Sequence, residues 1–312
     1  MKLSLLIPFY NEEDQVLITL DTVTPIVRSL THDYEIIAID DGSRDKTWEM
    51  LRLRALEDPH LHAIRFSRNF GKEAAVCAAL DHVGGDFAIL MDGDLQHPPR
   101  YIPEMVKLWQ EGYDVVEGVK ASRGNESPVY RFIASGFYKV FTKLSGVDMD
   151  NASDFKLLDR KVVDAWQQLE EKNTFFRGLS KWLGFKRTEF SFEVEERMYG
   201  TSKWNLRGLW NLSVHAITSF SSVPLVFITW GGVVFFVLAL IIALITLIRF
   251  FAGTAVAGFT TVILLLLIIG GAMMISLGLI GTYISKIYDE VKDRPRYLKM
   301  EELNPRPLDK DK

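Results

Sequence analysis

Cysteine is nearly absent: Cys77 is the only one in 312 residues. A single thiol excludes an internal disulfide framework and a cysteine-based zinc site. Strong charge of either sign is also missing. The formal net charge of −4 argues against a chain that coats nucleic acid, and no nucleic-acid partner is expected. Glycine-rich phosphate loops are not found. No G-x-G-x-x-G follows the first strand-like run and no G-x-x-x-x-G-K-[ST] occurs anywhere, so dinucleotide-fingerprint and P-loop readings fall away. The opening "MKLSLLIPFYNEED" turns acidic before an apolar h-region could form, so no secretory signal is expected.

Charge is also scarce along residues 223 to 288, and there its absence is informative. Two apolar runs, Pro224 to Ile248 and Thr260 to Ile284, are each about 25 residues long. As helices they would reach roughly 37 Å, enough to cross a hydrocarbon core of about 30 Å with some tilt. Neither run has a polar face, which argues against buried helices of a soluble core. Arg249 and a short Gly/Ala/Thr segment between them read as a tight hairpin. Lys203 and Arg207 precede the first run, and Lys286, Lys292, Arg294, Arg296 and Lys299 follow the second. Basic flanks on both outer sides predict a multi-pass protein with both termini in the cytoplasm.

Residues 1 to 222 mix charged and apolar residues as a soluble domain does. Strand-like runs recur at 3–9, 34–40, 61–67, 87–92 and 114–119, separated by helix-length stretches such as "DKTWEMLRLRALED" and "KEAAVCAALDHV". This alternation predicts an α/β unit with a mostly parallel sheet covered on both faces. Ligands of such sheets lie beyond the carboxyl ends of the strands. That edge would collect Pro8, Tyr10, Asn11 and Glu12, then Asp40 and Asp41, Ser67 to Asn69, Asp92 and Asp94, and Lys120.

The stretch "ILMDGDLQHPP" ends an apolar strand with two acids one residue apart. Neighbouring carboxylates repel each other unless a cation shares them. Mg²⁺ and Mn²⁺ prefer oxygen ligands, commonly one or two carboxylates plus substrate phosphates. Asp92, Asp94 and Gln96 offer oxygen donors at alternating positions. D-x-D alone is ordinary turn chemistry, but its place after "FAILM" and before a proline-started helix favours a metal site that would neutralise a departing diphosphate.

Together, "IPFYNEE", "IDDGSRDKT", "RNFGKEAA", "MDGDLQHPP" and "ERMYGTSKW" resemble the inverting family-2 glycosyltransferases. More narrowly they resemble the polyprenyl-phosphate glycosyltransferases, which include dolichol-phosphate mannose synthase and a bacterial undecaprenyl-phosphate branch. The resemblance covers nearly the whole chain and implies a GT-A fold in a cytoplasmic catalytic domain over 1–200. An interfacial amphipathic helix over 201–222, two transmembrane helices over 223–288 and a cytoplasmic tail over 289–312 would follow. By resemblance, Pro8, Tyr10 and Glu12 hold the nucleoside, Asp40 meets the base and Asp41 lies toward the ribose. Lys72 joins the nucleotide-sugar site. Asp92, Asp94 and Gln96 form the Mg²⁺ or Mn²⁺ and diphosphate site, and Arg197 and Lys203 grip the diphosphate. Asp40 can also simply end its strand while Ser43 or Asp45 caps the next helix.

The second substrate implied is a polyprenyl phosphate arriving from the bilayer. In "PVYRFIASGFYKVFTKLS", Arg131, Ser135, Lys139 and Lys143 fall at successive i, i+4 steps beside an apolar stripe of Ile133, Phe137, Val140, Phe141 and Leu144. The Arg131/Ser135 pair, with Lys120, resembles the family's acceptor-phosphate clamp. "WNLRGLWNLSVHAITSF" is a second amphipathic segment, with tryptophans suited to a membrane interface. A phosphate monoester with its second pKa near 6 is largely a dianion at neutral pH, so positioning and charge neutralisation outweigh base strength. Asp154 matches an acid proposed as base in related enzymes; orienting the acceptor or completing the metal site are its other possible roles.

The expected reaction is inverting transfer of one hexose to undecaprenyl phosphate at the inner membrane. Glucose is the leading sugar, with GlcNAc, mannose and aminoarabinose as alternatives. A processive family-2 synthase is disfavoured because no Q-x-x-R-W motif occurs and two spans cannot build a pore. A membrane-anchored nucleotide-sugar sensor would not need the intact acid cluster. Gly271, Gly278 and Gly281 in the second apolar run could serve homo-oligomer packing. His97 is expected to position its loop, His215 to fill a polar face, Met273 and Met274 to pack in the second span, and Cys77 to be a small core residue.

Overall fold

A computed structural model describes residues 1–120, 153–169, 171, 176–193, 223–252 and 258–305. The chain divides into two compact units, Met1–Trp204 with Arg294–Lys312, and Asn205–Asp293.

The first unit opens with β1 (Leu3–Phe9), α1 (Val16–Leu30), β2 (Tyr34–Asp40), α2 (Thr47–Glu57), β3 (Leu61–Phe66), α3 (Lys72–Asp81) and β4 (Phe87–Leu90). After a 3₁₀ turn at Pro99–Tyr101 come α4 (Ile102–Gln110), β5 (Val115–Lys120), β6 (Lys156–Asp159), α5 (Arg160–Gln167), α6 (Phe176–Trp182) and β7 (Arg187–Phe192). A last strand, β8 (Lys299–Leu303), follows the second unit in sequence. The strands form one eight-stranded sheet in the order β7-β5-β6-β4-β1-β2-β3-β8. β1, β2 and β4 are buried along their length apart from half-buried Pro8, as strands covered on both faces must be.

The five strands read from the sequence are all present, and the sheet is mixed. β1 runs parallel to β2 and β4, β2 to β3, and β5 to β7. β6 is antiparallel to both β4 and β5, and β8 is antiparallel to β3. The antiparallel pairings therefore all involve β6 or β8, short segments without the continuous apolar run that marks a buried strand.

Topology selects one place for a site. The chain winds β1-β2-β3 in one direction and then sets β4 against the other side of β1. That reversal opens a crevice between the carboxyl ends of β1 and β4. Register brings Phe9 level with Asp40, and Asp40 level with Arg65. β6 pairs Lys156 with Leu90, so its amino end lies at the carboxyl end of β4. α3 packs on β1 and β2, and Ala74 through Leu80, including Cys77, are buried. Small side chains let this helix sit close to the sheet.

The second unit contains α7 (Val223–Phe251) and α8 (Phe259–Val291), which contact each other. Among the described residues one stretch, Ile268–Val291, is long and apolar enough to cross a membrane by length and composition. The amphipathic segments expected at 128–145 and 204–220 lie outside the described residues.

Candidate active site

Two loops at the sheet edge hold each other. The Asn11 and Glu12 amides donate to Ser43 Oγ (2.9 Å) and Thr47 Oγ1 (2.8 Å). In return the Arg44 and Lys46 amides donate to Asn11 Oδ1 and Glu13 Oε2, each at 2.9 Å. Asn11 adopts a positive φ of 53° to make this exchange. Pro8 and Glu12 are half-buried on this surface and Tyr10 is exposed. Much of "IPFYNEE" and "IDDGSRDKT" is thus employed in joining the β1–α1 and β2–α2 loops into one wall.

Asp40 and Asp41 serve that wall differently. Asp40 is fully buried; its Oδ1 accepts from the Ser43 amide at 3.0 Å, and Oδ2 lies 3.4 Å from Arg65 Nε. Asp41 accepts from the Phe70 amide (2.7 Å), the Gly71 amide (2.9 Å) and Asn69 Nδ2 (2.9 Å). It therefore fixes the "RNFG" loop that leads to Lys72. Burial raises the pKa of both carboxyls, and these hydrogen bonds oppose the rise. Gly42, at φ 65°, completes the turn: a Cβ there would meet the Arg68 carbonyl carbon at 2.3 Å.

The acids of "MDGD" emerge at the crevice. From Asp92 to His97, exposure alternates: Asp92, Asp94 and Gln96 are half-buried, while Gly93, Leu95 and His97 are buried. Gly93 is required by packing, since a Cβ would lie 2.6 Å from Phe9 Cε1 and 2.8 Å from Glu12 Oε2. Leu95 takes a positive φ of 57°, and the Gln96 amide donates to Asp94 Oδ1 at 3.1 Å. His97 stacks on Phe155 at 5.3 Å, and its Nδ1 accepts from the Asp92 amide at 3.2 Å. Burial lowers its pKa despite nearby Asp92. A neutral ring accepting at Nδ1 keeps its proton on Nε2. It positions the acid loop, as the sequence suggested.

The register of β4 and β6 brings Asp154 beside Asp92, and Lys72 bridges them. Lys72 Nζ lies 2.6 Å from Asp92 Oδ1 and 2.6 Å from Asp154 Oδ2. Arg177 closes the cluster with a two-pronged grip on Asp154, Nε to Oδ1 at 2.8 Å and Nη2 to Oδ2 at 2.9 Å. Burial would raise the Asp154 pKa, but Lys72 and Arg177 hold it well below the usual carboxylate range. Burial would lower the Lys72 pKa, but Asp154 and Asp92 hold its ammonium above its usual range. Glu73, next on α3, accepts from the Phe176 amide at 2.7 Å and so pins the start of α6, which carries Arg177. Burial pushes the Glu73 carboxyl up to about 7.

Pro8, Tyr10, Glu12, Asp40, Asp41, Lys72, Asp92, Asp94, Gln96 and Asp154 therefore share one edge of the sheet. Lys120 ends β5; Arg131, Ser135, Arg197 and Lys203 lie outside the described residues. The sequence reading missed Arg177 and Glu73, because each acquires meaning only from a partner far along the chain. Among the described residues no three His, Cys, Asp or Glu side chains form a ready-made metal cage. The donor chemistry still fits a hard divalent cation: two carboxylates and an amide oxygen, on half-buried positions that alternate with buried ones.

Residues 4–166 match the glycosyl transferase family 2. An uncharacterized glycosyltransferase of Synechocystis is 39% identical over 300 residues, covering 96% of this chain and 94% of that one. The prophage bactoprenol glucosyl transferase homolog of Escherichia coli is 38% identical over 300 residues, covering 96% and 98%. A bactoprenol glucosyl transferase of Shigella phage SfX is 37% identical over 302 residues, with the same coverage. In fold, the chain is similar to glucosyl-3-phosphoglycerate synthase from Mycobacterium tuberculosis, solved with Mn²⁺, UDP and phosphoglyceric acid. That likeness has a TM-score of 0.50 and 21% identity, and covers 70% of this chain and 76% of that one. With the switch-point crevice, its acid pair and a match over most of the sheet, the chain belongs to glycosyl transferase family 2 and has its GT-A-like α/β fold.

Proposed function

We propose that this protein transfers a single glucose, with inversion, from a nucleotide-diphosphate sugar to undecaprenyl phosphate at the cytoplasmic face of a bacterial inner membrane. The observation that carries the reading is the convergence of Asp92, Lys72, Asp154 and Arg177 at the β1/β4 crevice. The near full-length similarity to proteins named bactoprenol glucosyl transferase supports the acceptor and the sugar.

Each side chain has a task in this scheme. Tyr10, Pro8 and Glu12, with the wall braced by Asp40 and Asp41, receive the nucleoside. Asp92, Asp94 and Gln96 would hold Mg²⁺ or Mn²⁺, which would supply charge neutralisation to the donor's diphosphate. Arg197 and Lys203 add positive charge to the same group. Lys120, Arg131 and Ser135 receive the acceptor phosphate. Asp154, already ionised and neutralised by two cations, is a poor proton acceptor. It acts by aiming Lys72 and Arg177, and the acceptor needs little deprotonation because its phosphate is mostly a dianion at neutral pH.

Chain topology supports a membrane hairpin. The second unit is entered from and left to the same first unit, and β8 is hydrogen-bonded into the sheet beside β3. Sequences on both sides of the apolar helices thus share one folded body, an arrangement that two crossings would satisfy. α7 and α8 are two helices of 29 and 33 residues, and each exceeds the roughly 20 residues that one crossing needs. The same reading includes self-association through α8, where the exposed Gly271, Gly278 and Gly281 would let a partner helix approach closely.

The test is direct. Full-length protein in membranes or detergent is given radiolabelled UDP-glucose, undecaprenyl phosphate and Mn²⁺. Label should move to the organic-extractable lipid only when lipid phosphate and metal are both present. Longer glycan chains would indicate a synthase, and binding without transfer a sensor; either result overturns the reading.

A further inference from the structure

The segment between α8 and β8 does more than connect. We infer that Arg296 and Tyr297 form a clasp that positions the active-site cluster from behind, by fixing the two segments that present Lys72 and Arg177. The inference rests on the reading of that cluster as the transferase site.

The two neighbours reach in different directions. Tyr297 donates its hydroxyl to Asp81 Oδ2 at 3.0 Å and stacks its ring on Phe66 at 4.9 Å. Asp81 is the last residue of α3 and Lys72 the first. Nine helical steps separate them, about 14 Å of rise. α3 is packed into the core along most of its length, so holding its far end limits how Lys72 can swing or slide. The Phe66 ring also meets Phe70 edge-on at 5.8 Å, and the Phe70 amide is one of the donors to Asp41. Tyr297 therefore reaches the loop before Lys72 by a second route.

Arg296 turns to the other side. Its Nε donates to the Glu171 carbonyl at 2.8 Å and its Nη2 to the Leu169 carbonyl. These carbonyls lie on the connection from α5 to α6, five and seven residues before Phe176. α6 begins there, with the Phe176 amide held by Glu73 and Arg177 gripping Asp154. The clasp is itself anchored: the Ser67 amide donates to the Leu298 carbonyl, Trp48 Nε1 to Glu301, and His62 pairs with Glu302 at 2.8 Å. Asn304 Nδ2 donates to the Ala55 and Leu61 carbonyls, each at 2.9 Å. Nothing in this set touches the reacting groups, so Arg296 and Tyr297 are positioning residues.

The experiment uses the full-length chain and the variants Tyr297→Phe, Arg296→Ala and Arg296→Lys. Tyr297→Phe keeps the ring on Phe66 and removes only the bond to Asp81. Expected for Tyr297→Phe and Arg296→Ala is a fall in kcat of about tenfold with donor KM within about twofold, as small misplacements of catalytic groups produce. Unfolding temperature should stay within about 2 °C of the parent, and Arg296→Lys should recover part of kcat. Hydrogen exchange should quicken at residues 69–75 in Tyr297→Phe and at residues 176–182 in Arg296→Ala. Unchanged kcat and unchanged exchange would overturn the clasp, as would losses that track the unfolded fraction. If the parent chain shows no glucosyl transfer but exchange still quickens, the clasp stands and the proposed function fails.

Discussion

Two ionic groups at this sheet are made of the same chemistry and differ in exposure. At the crevice, Lys72 with Asp92 and Asp154 keeps 42% of its side-chain surface open, and Asp92 keeps 26%. On the β5/β6 ladder, Lys156 and Glu117 face each other at 3.3 Å with 0% and 1% open. Lys156 also donates to Ser180 Oγ at 2.7 Å, tying α6 to the sheet. Burial lowers the Lys156 pKa against the pull of Glu117, whereas the two acids around Lys72 outweigh its burial. A sealed pair can only hold elements together, since no ligand reaches it. An open network can trade partners with an incoming phosphate or cation. Charge at a strand end does not by itself mark a site; a perturbed, partnered charge that a ligand can still reach in a crevice is the candidate.

The largest effect expected is at Asp94, which belongs to the open side. Asp94→Asn should reduce glucosyl transfer at saturating Mn²⁺ by at least about a thousandfold, with little change in unfolding temperature. Near-normal turnover in the radiolabel assay would sink the metal role. Next comes the sealed side: Lys156→Met leaves Glu117 buried without its partner and should cost about 3–5 kcal/mol of stability. Denaturant unfolding measures it, and adding Glu117→Leu should restore much of the loss.

Asp154→Asn sharpens the contrast. It strips the shared acid from Lys72 and Arg177, both of which retain access to water, so stability should change less than in Lys156→Met. Transfer should nevertheless fall about a hundredfold, or roughly 2.7 kcal/mol at the transition state. Equal damage to stability in the two variants would erase the distinction drawn here.

The smallest effect is a pH slope from Glu73. Its folded carboxyl is held up to about 7, against an ordinary value of 4.5. Between those values the unfolded chain is ionised while the folded chain keeps the proton. The stability this group contributes is therefore full below pH 4.5 and lost as pH rises through 7. Glu73→Gln should flatten that slope, raising unfolding temperature more at pH 8 than at pH 5; the opposite ordering would contradict the assignment.

The legible parts of the chain were those with local signals. β1, β2, β3 and β4 are apolar runs bounded by turns, and "MDGD" is an acid pair at a strand end. β6, β7 and β8 carried no such mark. "KLLD" is short, "RTEFSF" is half polar, and "KMEEL" is an edge strand whose residues are exposed or half-buried. Their strand character comes from what they pair with. Arg177 sits in "FFRGLSKW", which has no motif of its own, and it acquires a role only because Asp154 lies opposite.

Taken alone, the order of residues determined the alternating α/β pattern, the acids at the crevice and the two long apolar helices, because periodicity and strand-ending charge are properties of neighbours in the chain. Which cations would meet Asp154, which buried pair would be sealed, and that a strand from beyond the apolar helices would return to the sheet were decided only in three dimensions. Those outcomes depend on register between β4 and β6 and between β3 and β8. Register is set by summed packing and hydrogen bonding over the whole sheet, so no short stretch of sequence carries it.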